Sequence, residues 1–258
     1  MRTWTDAGGI ALHAVRHGEG DPQTILIHEL GGAHPSWCRL QPLLPGCSWA
    51  LDLRGSGLSE KPPGATVIET YADDVAAFAA VRGFRSVQLV GVAMGALVAA
   101  LVAARHPGLV ARLVICNGTD TITPDAARYI GERAAQVRTA GMAVAVDASL
   151  KNSFPASHEA ARAAYRPVFL ANDPAAYAAA SESLAAMDVG SDVLGLIRAP
   201  TLAVTGVEDF IWPVAHGERL ASRISGARFV ALQGAGHFPH LQAPEALAAL
   251  IVSFIAEA

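Results

Sequence analysis

The sequence predicts an α/β fold in which a mostly parallel, eight-stranded sheet is flanked by helices and carries a helical lid. Short apolar runs rich in β-branched residues alternate with helix-favouring runs over 24–116. An alanine-rich segment without strand patterns follows over 120–190, and strand patterns return at 201–205 and 227–232. Alternation of strands with helices indicates parallel pairing through right-handed crossovers.

Length and composition suit one large domain with an insertion. The chain has 258 residues, of which 52% are hydrophobic and 16% charged, and this balance argues against disorder. We therefore expect a core formed by residues 1–118 and 191–258, and a lid formed by residues 119–190.

Each predicted element follows from a local pattern of apolar residues and chain breakers. Gly8-Gly9 predicts a hairpin over 2–17, and Gly83 ends an amphipathic helix over 69–81. The other predicted elements are strands at 24–28, 48–51 and 110–116, a strand that turns into a helix within 87–100, a short helix over 36–44, and a C-terminal helix over 244–257.

Charge and cysteine content limit the classes of binding partner that we expect. The net charge is −4 without a basic run, which indicates neither a nucleic acid nor a membrane partner. The polar first residues show no secretory pattern, and the three cysteines (Cys38, Cys47, Cys116) have no metal-ligand spacing. We expect a cytoplasmic monomer or homodimer with reduced thiols that takes a small-molecule substrate.

The stretch 87–100 joins a strand to a helix through a tight turn. It begins with β-branched residues, ends with alanines and leucines, and has Gly91 and Gly95 at the join. The spacing Gly91-x-Ala93-x-Gly95 matches the nucleophile elbow G-x-S-x-G. Ala93, however, has a methyl group where the attacking hydroxyl is expected.

Three further motifs follow predicted strands. His28-Glu29-Leu30-Gly31 forms a glycine-rich turn, Asp209 follows the strand at 201–205, and His237 follows the strand at 227–232. The order nucleophile, acid, histidine is that of the α/β-hydrolases.

With these motifs the chain resembles the α/β-hydrolases over essentially its whole length. Among them it is most similar to the 3-oxoadipate enol-lactonases and neighbouring small lactone and ester hydrolases. The segments that carry the resemblance are Asp52–Ser59, the elbow, Asp188-Val189 before Ile197–Thr201, Gly206–Asp209, Gly234–His237, and the lid segment Arg138–Phe154.

The resemblance implies a Ser-Asp-His mechanism without a metal or cofactor. His237 would activate the serine, Asp209 would orient His237, and the N–H groups of Leu30 and Met94 would bind the oxyanion. Glu208 and Asp120 compete with Asp209 as the acid. We expect structural roles for His240, near His237, and for His28 at the oxyanion turn.

Two positions depart from this pattern. Glu29 stands where a glycine is usual, and a carboxylate there would oppose an oxyanion unless it points away or a partner neutralises it. The alternative is that Glu29 is protonated or positions water, because dry pockets raise carboxyl pKa values.

Ala93 removes the nucleophile, a change that typically costs about 10⁶-fold in kcat. We expect an engineered Ser→Ala replacement that leaves the chain nearly inactive. The alternatives are a natural pseudo-hydrolase that binds a ligand and a lineage whose chemistry needs no serine.

The predicted substrate is a small lactone or ester, hydrolysed through an acyl-enzyme. Alternatives within the same fold are a C–C bond hydrolase of a ring-cleavage product, a small amide hydrolase and a cofactor-free dioxygenase. The alternative of another class is a non-catalytic ligand-binding protein. A substrate carboxylate could be bound by Arg133, Arg138 or Lys151. The apolar pocket lining is predicted to be Leu30, Trp37, Met94, Phe154, Phe210, Ile211, Trp212 and Phe238.

Overall fold

The computed structural model describes residues 1–187 and 191–257. Eight strands form one sheet. Their bounds are β1 Arg2–Asp6, β2 Ala11–Gly18, β3 Gln23–Ile27, β4 Cys47–Leu51, β5 Val87–Val92, β6 Val110–Cys116, β7 Thr201–Gly206 and β8 Arg228–Leu232.

The strand order is β1-β2-β4-β3-β5-β6-β7-β8. The β1–β2 and β2–β4 pairs are antiparallel, and every other neighbouring pair is parallel. The connection from β4 to β5 crosses over β3, where the strand order reverses. Because the central pairs are parallel, the carboxyl ends of their strands meet at one edge of the sheet. In open α/β sheets this edge is where ligands bind.

Ten α-helices lie in the described residues. They are α1 Ile68–Val81, α2 Met94–Arg105, α3 Pro124–Ala140, α4 Ala143–Ser153, α5 Glu159–Leu170, α6 Pro174–Ala185, α7 Ser191–Leu194, α8 Val214–Ser222, α9 Pro239–Gln242 and α10 Pro244–Ala256. Among the described residues, no helix is both long and apolar enough to cross a bilayer.

The core lies around β5 and α2. All six residues of β5 are buried, which fits a parallel strand covered on both faces and explains why Gln88 is its only polar residue. In α2, residues 94–104 are all buried, so this helix is apolar all round rather than amphipathic. The predicted fold class, a mostly parallel eight-stranded sheet flanked by helices, is confirmed.

Helices α3–α6 fall within the segment predicted to form the lid. Capping side chains fix two of their first turns: Thr123 Oγ1 accepts from the Ala126 N–H at 3.2 Å, and Asp173 Oδ1 accepts from the Ala176 N–H at 2.9 Å. Asp188 and Val189, which contributed to the resemblance, lie outside the described residues, as does the predicted lid boundary at residue 190.

One predicted helix differs in the structure. Where a short helix was predicted over 36–44, the chain forms two 3₁₀ turns, His34–Trp37 and Gln41–Leu43. Pro42 lacks an N–H donor and its ring crowds the preceding turn, so a continuous helix is interrupted there.

Candidate active site

Ala93 sits in a strained turn between β5 and α2. Its φ of 52° and ψ of −116° lie in a region that residues with a Cβ rarely adopt. The Ala93 N–H donates to the Cys116 carbonyl at 3.0 Å, which ties the turn to the neighbouring strand β6. A Cβ on Gly91 would collide with the Gly95 carbonyl, and one on Gly95 would collide with the Ile27 carbonyl. The two glycines are therefore required by close backbone approach.

Asp209 and His237 form a buried pair at the ends of β7 and β8. His237 Nδ1 lies 2.8 Å from Asp209 Oδ2. The other carboxylate oxygen, Oδ1, accepts from the N–H groups of Ile211 at 2.8 Å and Trp212 at 3.0 Å. Asn117, which follows β6, donates from Nδ2 to Asp209 Oδ2 at 2.7 Å. Four donors thus hold this carboxylate in place.

The same contacts keep Asp209 ionised. Burial opposes the charge, but the charge of His237 and the hydrogen bonds from His237 and Asn117 outweigh it and lower the pKa of the Asp209 carboxyl. An ionised partner at Nδ1 favours the tautomer with its proton on that nitrogen. Nε2 is then the basic nitrogen, as general-base catalysis requires.

The two competing carboxylates make no contact with His237 within the described residues. Asp120 pairs instead with Arg219 at 2.7 Å and Arg223 at 2.9 Å. Glu208 is only half-buried and precedes Asp209 in the turn. Geometry therefore favours Asp209 as the acid.

Both residues expected to donate to the oxyanion, Leu30 and Met94, line the cavity. Met94 is the first residue of α2, so its N–H has no acceptor within the helix. The Leu30 N–H likewise has no hydrogen-bond acceptor in the part of the chain that the structure describes.

His28 positions this turn. The Leu53 N–H donates to His28 Nε2 at 3.1 Å, which requires the proton of a neutral ring to be on Nδ1. Nδ1 in turn donates to the Glu29 carbonyl at 2.8 Å. His28 thus connects two loops, and its contacts fit the structural role expected for it.

The cavity has a volume of about 390 Å³ and lies between the sheet edge and helices α3–α6. Six of the predicted apolar lining residues do line it: Leu30, Met94, Phe210, Ile211, Trp212 and Phe238. Ala93, Glu29 and His237 also line it, so the structure brings the central motifs together.

Two residues predicted to line the cavity lie behind the residues that do line it. Trp37 is fully buried and packs against His240, with ring centroids 4.6 Å apart. Phe154 packs against Tyr165 at 5.7 Å and Phe238 at 5.4 Å between centroids. Neither ring is among those that line the cavity. Both support residues that do, so the expectation of direct contact is not met.

Of the three candidate cations, Arg133 alone is among the residues that line the cavity. Arg138 is paired with Glu182 at 2.7 Å on the surface, and Lys151 is exposed on α4. Arg133 donates to Ser149 Oγ at 3.2 Å and lies 5.5 Å from the ring centroid of Tyr129. No carboxylate among the described residues pairs with it.

Glu29 is buried but has partners. Ser36 Oγ donates to Oε1 at 2.7 Å, and His240 Nε2 lies 3.1 Å from Oε2. Burial opposes the charge, yet the nearby His240 ring outweighs burial and lowers the pKa of Glu29 to about 2. The lowered pKa favours an ionised Glu29 over the protonated alternative, and the polar side chains beside the carboxylate are Ser36 and His240.

A second polar cluster lies away from the cavity. His13 Nδ1 lies 2.8 Å and His34 Nδ1 3.0 Å from Asp52 Oδ2, and the ligand atoms of all three fall within 4.8 Å of one another. The backbone N–H groups of His34 and Leu58 also donate to Asp52. These donors already occupy the carboxylate, so the arrangement suits a brace for the 52–59 turn better than a metal centre.

Several cavity residues were not anticipated from the sequence. Tyr165, Tyr177 and Ser149 line the cavity from the lid helices, where no local motif marks them. Asn117 could have been noticed, because it directly follows a parallel strand on the active edge of the sheet.

Comparisons with known proteins agree with this geometry. The family described as the alpha/beta hydrolase fold matches residues 25–244. A Caulobacter sp. (strain K31) protein named "Putative carbamate hydrolase RutD" is 28% identical over 94% of both chains. The solved enol-lactonase of Burkholderia xenovorans LB400 is 30% identical, covers 99% of this chain and 100% of its own, and superposes with a TM-score of 0.93.

A further solved structure is a thermophilic esterase from Thermogutta terrifontis, described as malate-bound. It is 26% identical, covers 99% of this chain and 98% of its own, and has a TM-score of 0.92.

Proposed function

Because the chain belongs to the α/β-hydrolase family, we propose that its site is that of a hydrolase for a small, carboxylate-bearing ester or lactone. The observation that carries this proposal is the His237–Asp209 pair at 2.8 Å, in a cavity shared with the elbow residue Ala93 and two unpaired amides. An enol-lactonase and an esterase with closely similar folds support it.

The chemistry would run through an acyl-enzyme when a serine occupies position 93. Its Oγ would attack the carbonyl carbon while His237 Nε2 takes the hydroxyl proton. The N–H groups of Leu30 and Met94 would stabilise the tetrahedral oxyanion. Collapse would break the bond to the leaving oxygen, which takes the proton from His237. Water would then repeat both steps on the acyl-enzyme.

With Ala93 in place, the acyl-enzyme cannot form, because a methyl group has no lone pair. The cavity, the amides and the Asp–His pair would remain able to bind the substrate. We propose that the chain in this form binds without appreciable turnover, as an engineered Ser→Ala replacement would.

The charge of Arg133 is the reason for proposing that the substrate carries a carboxylate. A half-buried guanidinium without an acid partner is suited to a carboxylate, which it can bind in a bidentate manner. The malate named with the esterase structure is a dicarboxylate, which is in keeping with such a substrate.

The first test compares this chain with Ala93→Ser on short aryl esters and five-membered lactones. We expect the serine to bring hydrolysis that a further His237→Ala abolishes. Ala93→Ser that folds and yet hydrolyses no ester or lactone would contradict the proposal.

That second outcome would favour a ligand-binding protein with a native alanine, which the alanine at the elbow also fits. Binding of the same compounds by the unaltered chain, measured by calorimetry, would then identify its ligand. Amides, diketones and oxygen uptake extend the panel to the alternative reactions of the same fold.

A further inference from the structure

Three buried side chains near the oxyanion turn have polar atoms without a well-directed hydrogen bond, although Ser36 Oγ donates to the other Glu29 oxygen, Oε1. We call Glu29, Tyr165 and His240 the Glu29 subsite. Glu29 Oε2, the Tyr165 hydroxyl and both ring nitrogens of His240 have no well-directed hydrogen-bond partner within the described residues. The residues are at most 2% exposed. Buried polar atoms are nearly always partnered, so such a group of open positions points to a ligand.

The subsite opens onto the cavity. Glu29 and Tyr165 both line it, and His240 stands behind Glu29 with Nε2 3.1 Å from Oε2. Glu29 directly precedes Leu30, whose N–H is one of the two expected oxyanion donors. The subsite therefore adjoins the turn at which the proposed function places the substrate carbonyl.

The chemistry of the subsite selects its ligand group. An ionised carboxylate can only accept hydrogen bonds, so Glu29 repels oxygens and attracts N–H or O–H donors. Burial and then the neighbouring charge of Glu29 raise the pKa of the Tyr165 hydroxyl well above its usual value, so this hydroxyl stays protonated. It can donate to Glu29 or accept from a ligand. A methylene group at this position would leave all of these atoms unpartnered.

We propose that the Glu29 subsite binds an N–H group bonded to the carbonyl carbon on the acyl side of the substrate, as found in carbamate esters. This inference rests on the proposed function, which places the substrate carbonyl at the N–H groups of Leu30 and Met94. The inference narrows the substrate from esters in general to those whose acyl side carries this donor. It also gives a role to a carboxylate that would otherwise only disfavour the oxyanion.

The test uses the unaltered chain, which should bind without turnover. The probes are monomethyl glutarate and its analogue in which an N–H replaces the methylene bonded to the ester carbonyl. Both carry the same distal carboxylate, so the ratio of their dissociation constants, measured by calorimetry, isolates the N–H. A third probe carries an N-methyl group and lacks the donor.

We expect the N–H compound to bind about tenfold more tightly than the methylene compound, since hydrogen bonds to charged groups are the stronger ones. Glu29→Gln and Tyr165→Phe should each reduce this ratio several-fold. Tyr165→Phe removes only the hydroxyl and keeps the ring beside Phe154 and Phe238, so it decides the question if circular dichroism shows that Glu29→Gln does not fold. Thr24→Val, which removes another buried, unpartnered hydroxyl outside the cavity, should leave the ratio unchanged.

Nearly equal dissociation constants of the methylene and N–H compounds in the unaltered chain would overturn the inference, because the subsite would then bind only water. Equal binding of the N-methyl compound, or a ratio that survives both subsite variants, would overturn it too. These results are independent of turnover. If Ala93→Ser hydrolyses esters but the two dissociation constants are nearly equal, the proposed function stands and the inference about the subsite fails. If the N–H compound binds tenfold more tightly but Ala93→Ser hydrolyses nothing, the inference about the subsite stands and the proposed function fails.

Discussion

Replacing Arg133 with methionine should weaken binding of anionic ligands specifically. Arg133 lines the cavity, and its Nε is buried without a hydrogen-bond partner in the described part of the chain. Its guanidinium also packs 5.5 Å from the centroid of Tyr129, which restricts its motion. Methionine keeps an unbranched apolar stem but removes the guanidinium and its charge.

The expected magnitude follows from the exposure of the guanidinium. Hydrogen bonds to charged groups contribute about 1.5–3 kcal/mol. Arg133 is half-buried, so solvent screens part of this interaction and the lower end of the range applies. About 1.4 kcal/mol corresponds to a tenfold change in the dissociation constant.

The assay compares monomethyl glutarate with neutral dimethyl glutarate by calorimetry on the unaltered chain. Arg133→Met should weaken the anion about tenfold and leave the neutral diester nearly unchanged. Lys151→Met is the matched control, because Lys151 lies on the neighbouring helix α4, is exposed and does not line the cavity. Equal losses for both ligands, or an equal effect of Lys151→Met, would refute the carboxylate clamp.

Three further outcomes follow from the geometry. Gly95→Ala should destabilise the fold by several kcal/mol in chemical denaturation, because its Cβ would meet the Ile27 carbonyl in the core; unchanged stability would show that the elbow backbone can shift. Asp209→Asn in the Ala93→Ser background should lower kcat by about 10⁴-fold, as loss of the orienting carboxylate does in related triads; a tenfold loss or less would assign Asp209 to structure. Lowering the pH from about 4.5 towards 2 should destabilise the chain. The pKa of Glu29 is 4.5 when free and about 2 in the fold, so the stability contributed by the ionised carboxylate is complete above pH 4.5 and is lost as the pH approaches 2. Glu29→Gln should flatten this part of the stability curve, and an unaltered curve would contradict the ionised state of Glu29.

Most of the fold could be predicted because local patterns and global architecture agree. The run 87–92 is apolar except for Gln88 and belongs to a strand buried on both faces, and Gly91 and Gly95 mark the turn that follows it. The two 3₁₀ turns over 34–43 were harder to predict from the sequence, because one proline decides between two short turns and one helix.

The site could be predicted where it depends on strand ends and could not where it depends on the lid. Asp209 and His237 each follow a strand of a parallel sheet, so the topology brings them to one edge. Tyr165 reaches the cavity from α5, and no spacing in the sequence relates that helix to the oxyanion turn. Sequence patterns likewise could not choose among the three lid cations, because the choice depends on which face of each helix meets the sheet.

Two residues of opposite charge line the cavity. Glu29 directly precedes Leu30 at the expected oxyanion turn, and Arg133 belongs to the lid helix α3. A substrate that carries a donor next to its carbonyl and a carboxylate further away would satisfy both charges in one orientation only. The same orientation places the carbonyl between the amides of Leu30 and Met94. The departure at Glu29 is therefore consistent with an active site that has been adapted to orient one kind of substrate, even though the attacking group itself is missing at Ala93.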